Sequence, residues 1–154
     1  NYDKKEQNDQ LRAKKIGIVY QQNNLLPDFT SLENIYLASL SINNNKELAI
    51  SKAKQLLKKI GLSNRANHYP SQLSGGEAQR IAIARAIIND PEIILADEPT
   101  GSLDMKTAKI IFNLLKDQKR SDRLIIFATH NRYFGNKADC LLEIIDGKIK
   151  SSNG

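Results

Sequence analysis

Residues 93–104 read Ile93-Ile94-Leu95-Ala96-Asp97-Glu98-Pro99-Thr100-Gly101-Ser102-Leu103-Asp104. Four apolar residues in succession, without alternation, describe a strand covered on both faces, as in a parallel sheet. Two carboxylates then stand at its carboxyl end, the edge where open α/β sheets bind ligands. Neighbouring side chains of a strand point to opposite sides, so the two acids can hold different tasks. Asp97 can hold Mg²⁺ through water, while Glu98, left unliganded, can polarise a water for phosphoryl transfer. A pair of solvated loop acids is the competing reading.

Upstream, Ser74-Gly75-Gly76-Glu77 has the S-x-x-E form of a capping box and opens a helix apolar almost all round through Ile88, hence a buried one. The start of this helix offers backbone N–H groups, a hydroxyl and the positive end of a dipole, which together make an anion seat. A capped helix with glycines for close packing explains the same residues. Asn89-Asp90-Pro91 ends the helix. Further upstream, Ile16 to Tyr20 predicts a strand whose exit places Gln21 to reach metal or water, or to serve as an ordinary loop residue. Thr30-Ser31-Leu32-Glu33 is a second capping box, opening a helix from Ser31 to about Leu40. Asn43-Asn44-Asn45 breaks it. Ala49, Ala53, Leu56, Leu57 and Ile60 then mark the apolar stripe of a further helix, stopped by Gly61. Leu62 to Leu73 reads as irregular, with Pro70 barring helix at Tyr69.

Downstream, Asp104 can cap an amphipathic helix carrying Ala108, Ile111, Phe112 and Leu115. Leu124 to Ala128 reads as the next buried strand, and Thr129-His130 follows at the same sheet edge as Asp97. An imidazole there can reach a terminal phosphate or can be structural. Leu141 to Ile145 and Lys148-Ile149 predict a hairpin turning at Asp146-Gly147. Alternating buried strands and helices, with a mostly helical insertion, define an α/β fold.

Composition agrees with a folded domain or part of one: 154 residues, 40% hydrophobic, 26% charged, net charge +6. No aliphatic run approaches the roughly 18 residues of a spanning helix. No signal peptide is visible behind Lys4-Lys5, and the lone Cys140 excludes an internal disulfide. The lysines at 4–5, 14–15, 52–59 and 148/150 read first as a solvated face and second as attraction to anionic lipid. Nucleic acid is not expected as a partner, because no aromatic residues are interleaved with the basic ones as a stacking platform.

The order of these features is specific. Gln21, the helical insertion, Leu73-Ser74-Gly75-Gly76-Glu77-Ala78-Gln79-Arg80, the strand with Asp97-Glu98, Gly101-Ser102-Leu103-Asp104 and Thr129-His130 resemble the nucleotide-binding domain of ABC transporters from about Arg12 to Lys150. They correspond to the Q-loop, signature, Walker B, D-loop and switch histidine. Finer likeness lies in Leu25 to Asn34, Asn67 to Leu73 and Leu95 to Asp104, and it points to the lipoprotein-releasing branch, with macrolide-export and cell-division relatives next.

The resemblance implies a partial P-loop NTPase (ABC ATPase) fold, a mostly parallel sheet with a helical subdomain inserted. Residues 1–22 would end the ATP-binding core and carry the Q-loop. Residues 23–90 would form the helical subdomain with the signature, and 91–154 would return to the core. It further implies ATP and Mg²⁺ as cofactors, with Glu98 as general base and His130 at the γ-phosphate. Asp97 and Gln21 would serve the metal. Ser74, Gly75, Gly76 and Gln79 would bind the partner's nucleotide, and Asp104 would link protomers. The implied partners are a second ATPase domain in a homodimer and integral membrane permease subunits. The implied location is the cytoplasmic face of the inner membrane, held peripherally.

One part of the family pattern is not present. None of the eight glycines begins G-x-x-x-x-G-K-[ST], whose backbone donors and lysine hold the β- and γ-phosphates. An adenine-stacking aromatic cannot be identified, and Tyr2 is not assigned that task. Because the chain starts at Asn1 rather than Met, we expect the P-loop and its strands to precede it, and we expect this chain alone not to hold ATP productively. A transport ATPase lacking its amino end is the favoured reading. A non-catalytic remnant that only docks to a membrane subunit is the second, although Ser74, Glu98 and His130 are all intact. A DNA-repair or chromosome-maintenance ABC ATPase is the third, and too few residues separate Gln21 from Ser74 for the long insertion such proteins carry.

Overall fold

The computed structural model describes the backbone of residues 2–42 and 44–152 and the side chains of residues 8–42 and 44–150. Asn43 and the side chains of Tyr2, Lys4 and Lys5, all part of the sequence reading, lie outside the described residues.

Helix α1 (Tyr2–Lys15) runs into strand β1 (Ile16–Val19). Helices α2 (Ser31–Leu40) and α3 (Lys46–Lys59) follow, then single 3₁₀ turns at Ser63–Arg65 and Pro70–Gln72 within the stretch read as irregular. Helix α4 (Gly75–Ile87) leads to β2 (Ile93–Asp97), α5 (Met105–Lys116), β3 (Leu124–Ala128), the short α6 (Arg132–Gly135) and the hairpin β4 (Leu141–Ile145) and β5 (Lys148–Ser152). β1, β2 and β3 form a parallel sheet in that order, with Ile18 opposite Leu95 and Leu95 opposite Ile126. The hairpin is a separate sheet, turning at Asp146 and Gly147, both at positive φ.

Local chemistry sets the helix starts. Thr30 and Ser74 each cap with the hydroxyl while Glu33 and Glu77 reach back to the cap N–H, so both capping boxes form as read. Asn45 and Asp104 cap α3 and α5. Gly61, at φ 71°, takes the left-handed position after α3.

Two apolar clusters build the interior. Ile35, Ala53, Leu57, Ile60 and Leu62 join Ile81, Ala84 and Ile88 in a helical cluster. Val19, Ile94, Ala96, Ile111 and Leu115 join Ile83 and Ile87 against the sheet. α4 supplies residues to both, and it lies so close to β1 that a Cβ on Gly17 would overlap the Ala86 carbonyl oxygen.

The expectation that the strands after α4 are buried on both faces needs correction. Ile94 and Ala96 are buried beneath α4 and α5, but Ile18, Leu124 and Ile126 on the opposite face are exposed, the last two by half or more. Among the described residues no helix packs on that face, and the outer edge of β3 is unpaired. The apolar run reports a face suited to burial, and this chain covers only one side of it.

The close approach at Gly17 gives a test. Gly17→Ala forces β1 from α4 and should destabilise the chain by about 1–3 kcal/mol, the usual range for overpacking, read as a lower urea midpoint at unchanged slope.

Candidate functional site

Pro99 follows Glu98, and Glu98 sits at φ 43°, a left-handed position uncommon for a residue with a side chain. Its N–H donates to Ala128 O (3.0 Å), and its carbonyl accepts from Gly101 N–H (3.0 Å), closing a turn at the carboxyl end of β2. The turn aims the carboxylate at the end of β3. Oε1 accepts from His130 N–H (2.6 Å) and lies 2.7 Å from His130 Nδ1, and Oε2 accepts from Thr129 Oγ1 (3.3 Å). With Nδ1–H donating to the carboxylate, the imidazole leaves Nε2 free at a side chain 78% exposed. Asp97, one residue earlier, is exposed, and among the described residues nothing bonds its carboxylate. The adjacent acids therefore stand in different states, one engaged and one open.

Gln21, beyond the end of β1, comes to the same edge. A Cβ on Gly101 would stand 3.1 Å from Gln21 Nε2, so the glycine leaves room for the amide over the turn after Glu98. Asp97 and Gln21 offer hard oxygen donors suited to Mg²⁺, and among the described residues no group of three or more His, Cys, Asp and Glu side chains gathers as a metal site. That donor set fits a metal ion held mainly by waters and phosphate oxygens with one or two protein contacts.

The start of α4 forms a second place. Ser74 and Gly75 are exposed, Gly76 is buried, and no described residue accepts from the Gly75 and Gly76 N–H groups. The glycines differ in what surrounds them. A Cβ on Gly76 would overlap Thr107 Cγ2 of α5, while Ser74 and Gly75 keep the helix tip open. Ser74, Gly75 and Gly76 line a cleft of about 330 Å³ with Asp104 and Thr107, so two helix starts open onto one space. Asp104 Oδ1 accepts from Lys106 and Thr107 N–H (both 3.0 Å), and hydrogen bonding by Thr107 holds its carboxyl below the usual range. Glu77, bound by Ser74 N–H (2.8 Å) and Arg65 Nε (2.9 Å), is held lower still, at about 2.

Among the described residues no hydrogen bond or ion pair joins Ser74, Gly75 or Gly76 to Asp97, Glu98 or His130. Gln79 differs from the expectation for a nucleotide contact, because its side chain is 3% exposed and its amide donates inward to Tyr20 O (2.9 Å). The sequence reading also passed over Thr129 as a partner of Glu98 and Arg65 as a partner of Glu77. Thr129 had a signal in its place beside His130; Arg65 lay in the segment read as irregular.

These geometries are those of an ATP-binding cassette. A family model described as ABC transporter matches residues 1–101, and the chain belongs to that family. It is 44% identical over 145 residues to the lipoprotein-releasing system ATP-binding protein LolD of Xanthomonas oryzae pv. oryzae, covering 94% of this chain and 59% of the relative. It is likewise 44% identical to LolD of Rickettsia bellii, covering 66% of that protein. The chain thus spans about three fifths of the length of the curated relatives it matches. Among solved structures it resembles a dimeric post-hydrolysis state of the cassette MJ0796 bound to ADP and Pi, at TM-score 0.83 and 38% identity, covering 94% of this chain and 65% of that one. A second dimeric structure of MJ0796, described as a bacterial ABC transporter cassette, gives TM-score 0.84.

The low position of Glu77 predicts acid sensitivity. A carboxyl moved from 4.5 to about 2 on folding contributes stability above pH 4.5 that is lost as pH falls toward 2. Urea midpoints of Glu77→Gln should therefore fall less steeply than those of the unsubstituted chain across that window; parallel profiles would contradict the assignment.

Proposed function

We propose that this chain is the signature-bearing and acid-bearing part of an ABC ATPase that powers lipoprotein release from the inner membrane. The reading rests on one observation: the chain holds an open helix tip at Ser74–Gly76 and an acid–imidazole cluster at Asp97, Glu98 and His130, with no hydrogen bond or ion pair between them among the described residues. Two copies head to tail would bring the tip of one to the cluster of the other. The dimeric solved structures support pairing of two copies, and the likeness to LolD supports the lipoprotein-releasing reading.

Bound Mg-ATP supplies the electrophilic γ-phosphoryl group and the metal charge that offsets its oxygens. Asp97 and Gln21 would orient the waters around that ion. Glu98 would take the proton of the attacking water once Thr129 and His130 release its oxygens, and His130, freed from Glu98 and carrying its proton on Nε2, would donate to the phosphate. Ser74 and the Gly75 and Gly76 N–H groups of the facing copy supply donors to the phosphate oxygens, and Asp104 lies where the two copies approach. We divide the chain at 22 and 90 as read from the sequence, with α4 as the wall shared by core and helical part. The open face of the sheet and the free edge of β3 would receive the P-loop strand and its helix. Asn34, buried, binds Leu26 N–H and three carbonyls of the loop before α2, leaving Leu26 and Phe29 exposed to receive a membrane subunit.

In a form carrying the P-loop segment, Glu98→Gln should retain ATP binding and lose hydrolysis by about 100-fold or more, the scale of general-base loss. Unchanged turnover would remove Glu98 from that role. Ser74→Ala should weaken ATP-driven pairing in sedimentation by more than it destabilises the single chain, where loss of the cap costs about 1 kcal/mol; equal losses would leave Ser74 as a cap alone.

A further inference from the structure

Two side chains of α4 reach the loop that carries Gln21, one on either side of it. Gln79 Nε2 donates to Tyr20 O (2.9 Å), the residue before Gln21. Arg85 Nη1 donates to Asn24 O (2.7 Å) and Nη2 to Asn23 O (2.8 Å). Among the described residues Arg85 has no carboxylate partner, so its partly buried guanidinium spends its charge on two successive carbonyls. Asn24, one of those acceptors, lies at φ 48°, a backbone setting that needs holding. The apolar packing of α4 uses neither side chain. Gln79 and Arg85 are six residues apart on a helix rising 1.5 Å per residue, so they sit about 9 Å apart along its axis.

We infer that Gln79 and Arg85 are positioning residues that fix Gln21 to the signature helix. They touch no substrate. They hold the backbone on either side of Gln21 so that its amide stays over Gly101, beside the open carboxylate of Asp97. The same helix presents Ser74–Gly76 at its tip, so the anion seat and the metal-side amide ride on one rigid rod. This inference rests on the ATPase reading for its effect on turnover, but not for the clamp itself.

The test has two arms. On this chain, Arg85→Met and Gln79→Met, which keep bulk and remove the donors, should lower the backbone ¹⁵N order parameters across residues 21–25 into the flexible range, below about 0.6, while α3 stays rigid. Arg85→Lys, keeping charge and stem but not the fork, should fall between and stands in if Arg85→Met does not fold. Loosening spread equally through α3, or none at 21–25, overturns the clamp. In the form carrying the P-loop segment, both Met variants should raise the Mg²⁺ concentration for half-maximal hydrolysis by about tenfold with ATP affinity unchanged. A loosened loop with unaltered Mg²⁺ dependence overturns the positioning role. If the unsubstituted form hydrolyses no ATP, the ATPase reading fails, and the order-parameter arm still decides the clamp.

Discussion

Gly17 lets the backbone of β1 approach the carbonyl of Ala86 more closely than any side chain permits, and the placement of α4 depends on that approach. A 13-residue helix is marginal in water by itself, so its persistence comes from packing. α4 gains that packing twice, from Ile81, Ala84 and Ile88 on the helical side and from Ile83 and Ile87 on the sheet. Each such side chain taken fully out of water contributes about 1.5–3 kcal/mol before entropy is counted. Moving the helix would cost contacts in both clusters at once, which makes it a stiff connection between its tip and the strand ends.

The acid pair is held by a different means. The register of β2 on β3 sets Asp97 opposite Ala128, and the next N–H, that of Glu98, binds the Ala128 carbonyl. This bond and the turn closed by Gly101 maintain Glu98 in a left-handed conformation that costs on the order of 1 kcal/mol or more for a residue with a Cβ. A glycine or asparagine would sit there with less strain. A carboxylate there gathers the hydroxyl of Thr129 and two donors from His130, so the strained backbone position and the acid–imidazole cluster coincide.

Much of this was legible because it is local. Capping boxes, the glycine stop after α3 and the Asp146-Gly147 hairpin each follow from a few consecutive residues. α1 was missed because it has no apolar stripe; Leu11 is 57% exposed, and the helix is tied down by Asn89 binding the Ala13 carbonyl and by the Lys15–Glu92 ion pair. The open sheet face was misread because Ile126 and Leu124 signal what a strand is suited to, not which element is present to cover it. The partners of Gln79, Arg85 and Arg65 lie at long separations, and no spacing rule reaches them. The glycines of the signature carried two readings that local sequence could not separate, and the approach of Thr107 shows that Gly76 serves packing while its neighbours stay open.

The lysines of α3 invite a binding surface, and helix electrostatics explains part of them more simply. Lys58 and Lys59 occupy the last turn, where cations interact favourably with the dipole, and Glu47 occupies the first. Lys54 and Lys58 are an i,i+4 like-charge pair, which costs only a few tenths of a kcal/mol on an exposed helix. The Asn45 cap, worth about 1 kcal/mol in such helices, offsets that cost. Their ammonium groups carry no ion pair among the described residues, as expected of side chains left in water above a stem that shields Ala53 and Leu57. A solvated face is therefore sufficient for the charge of this helix.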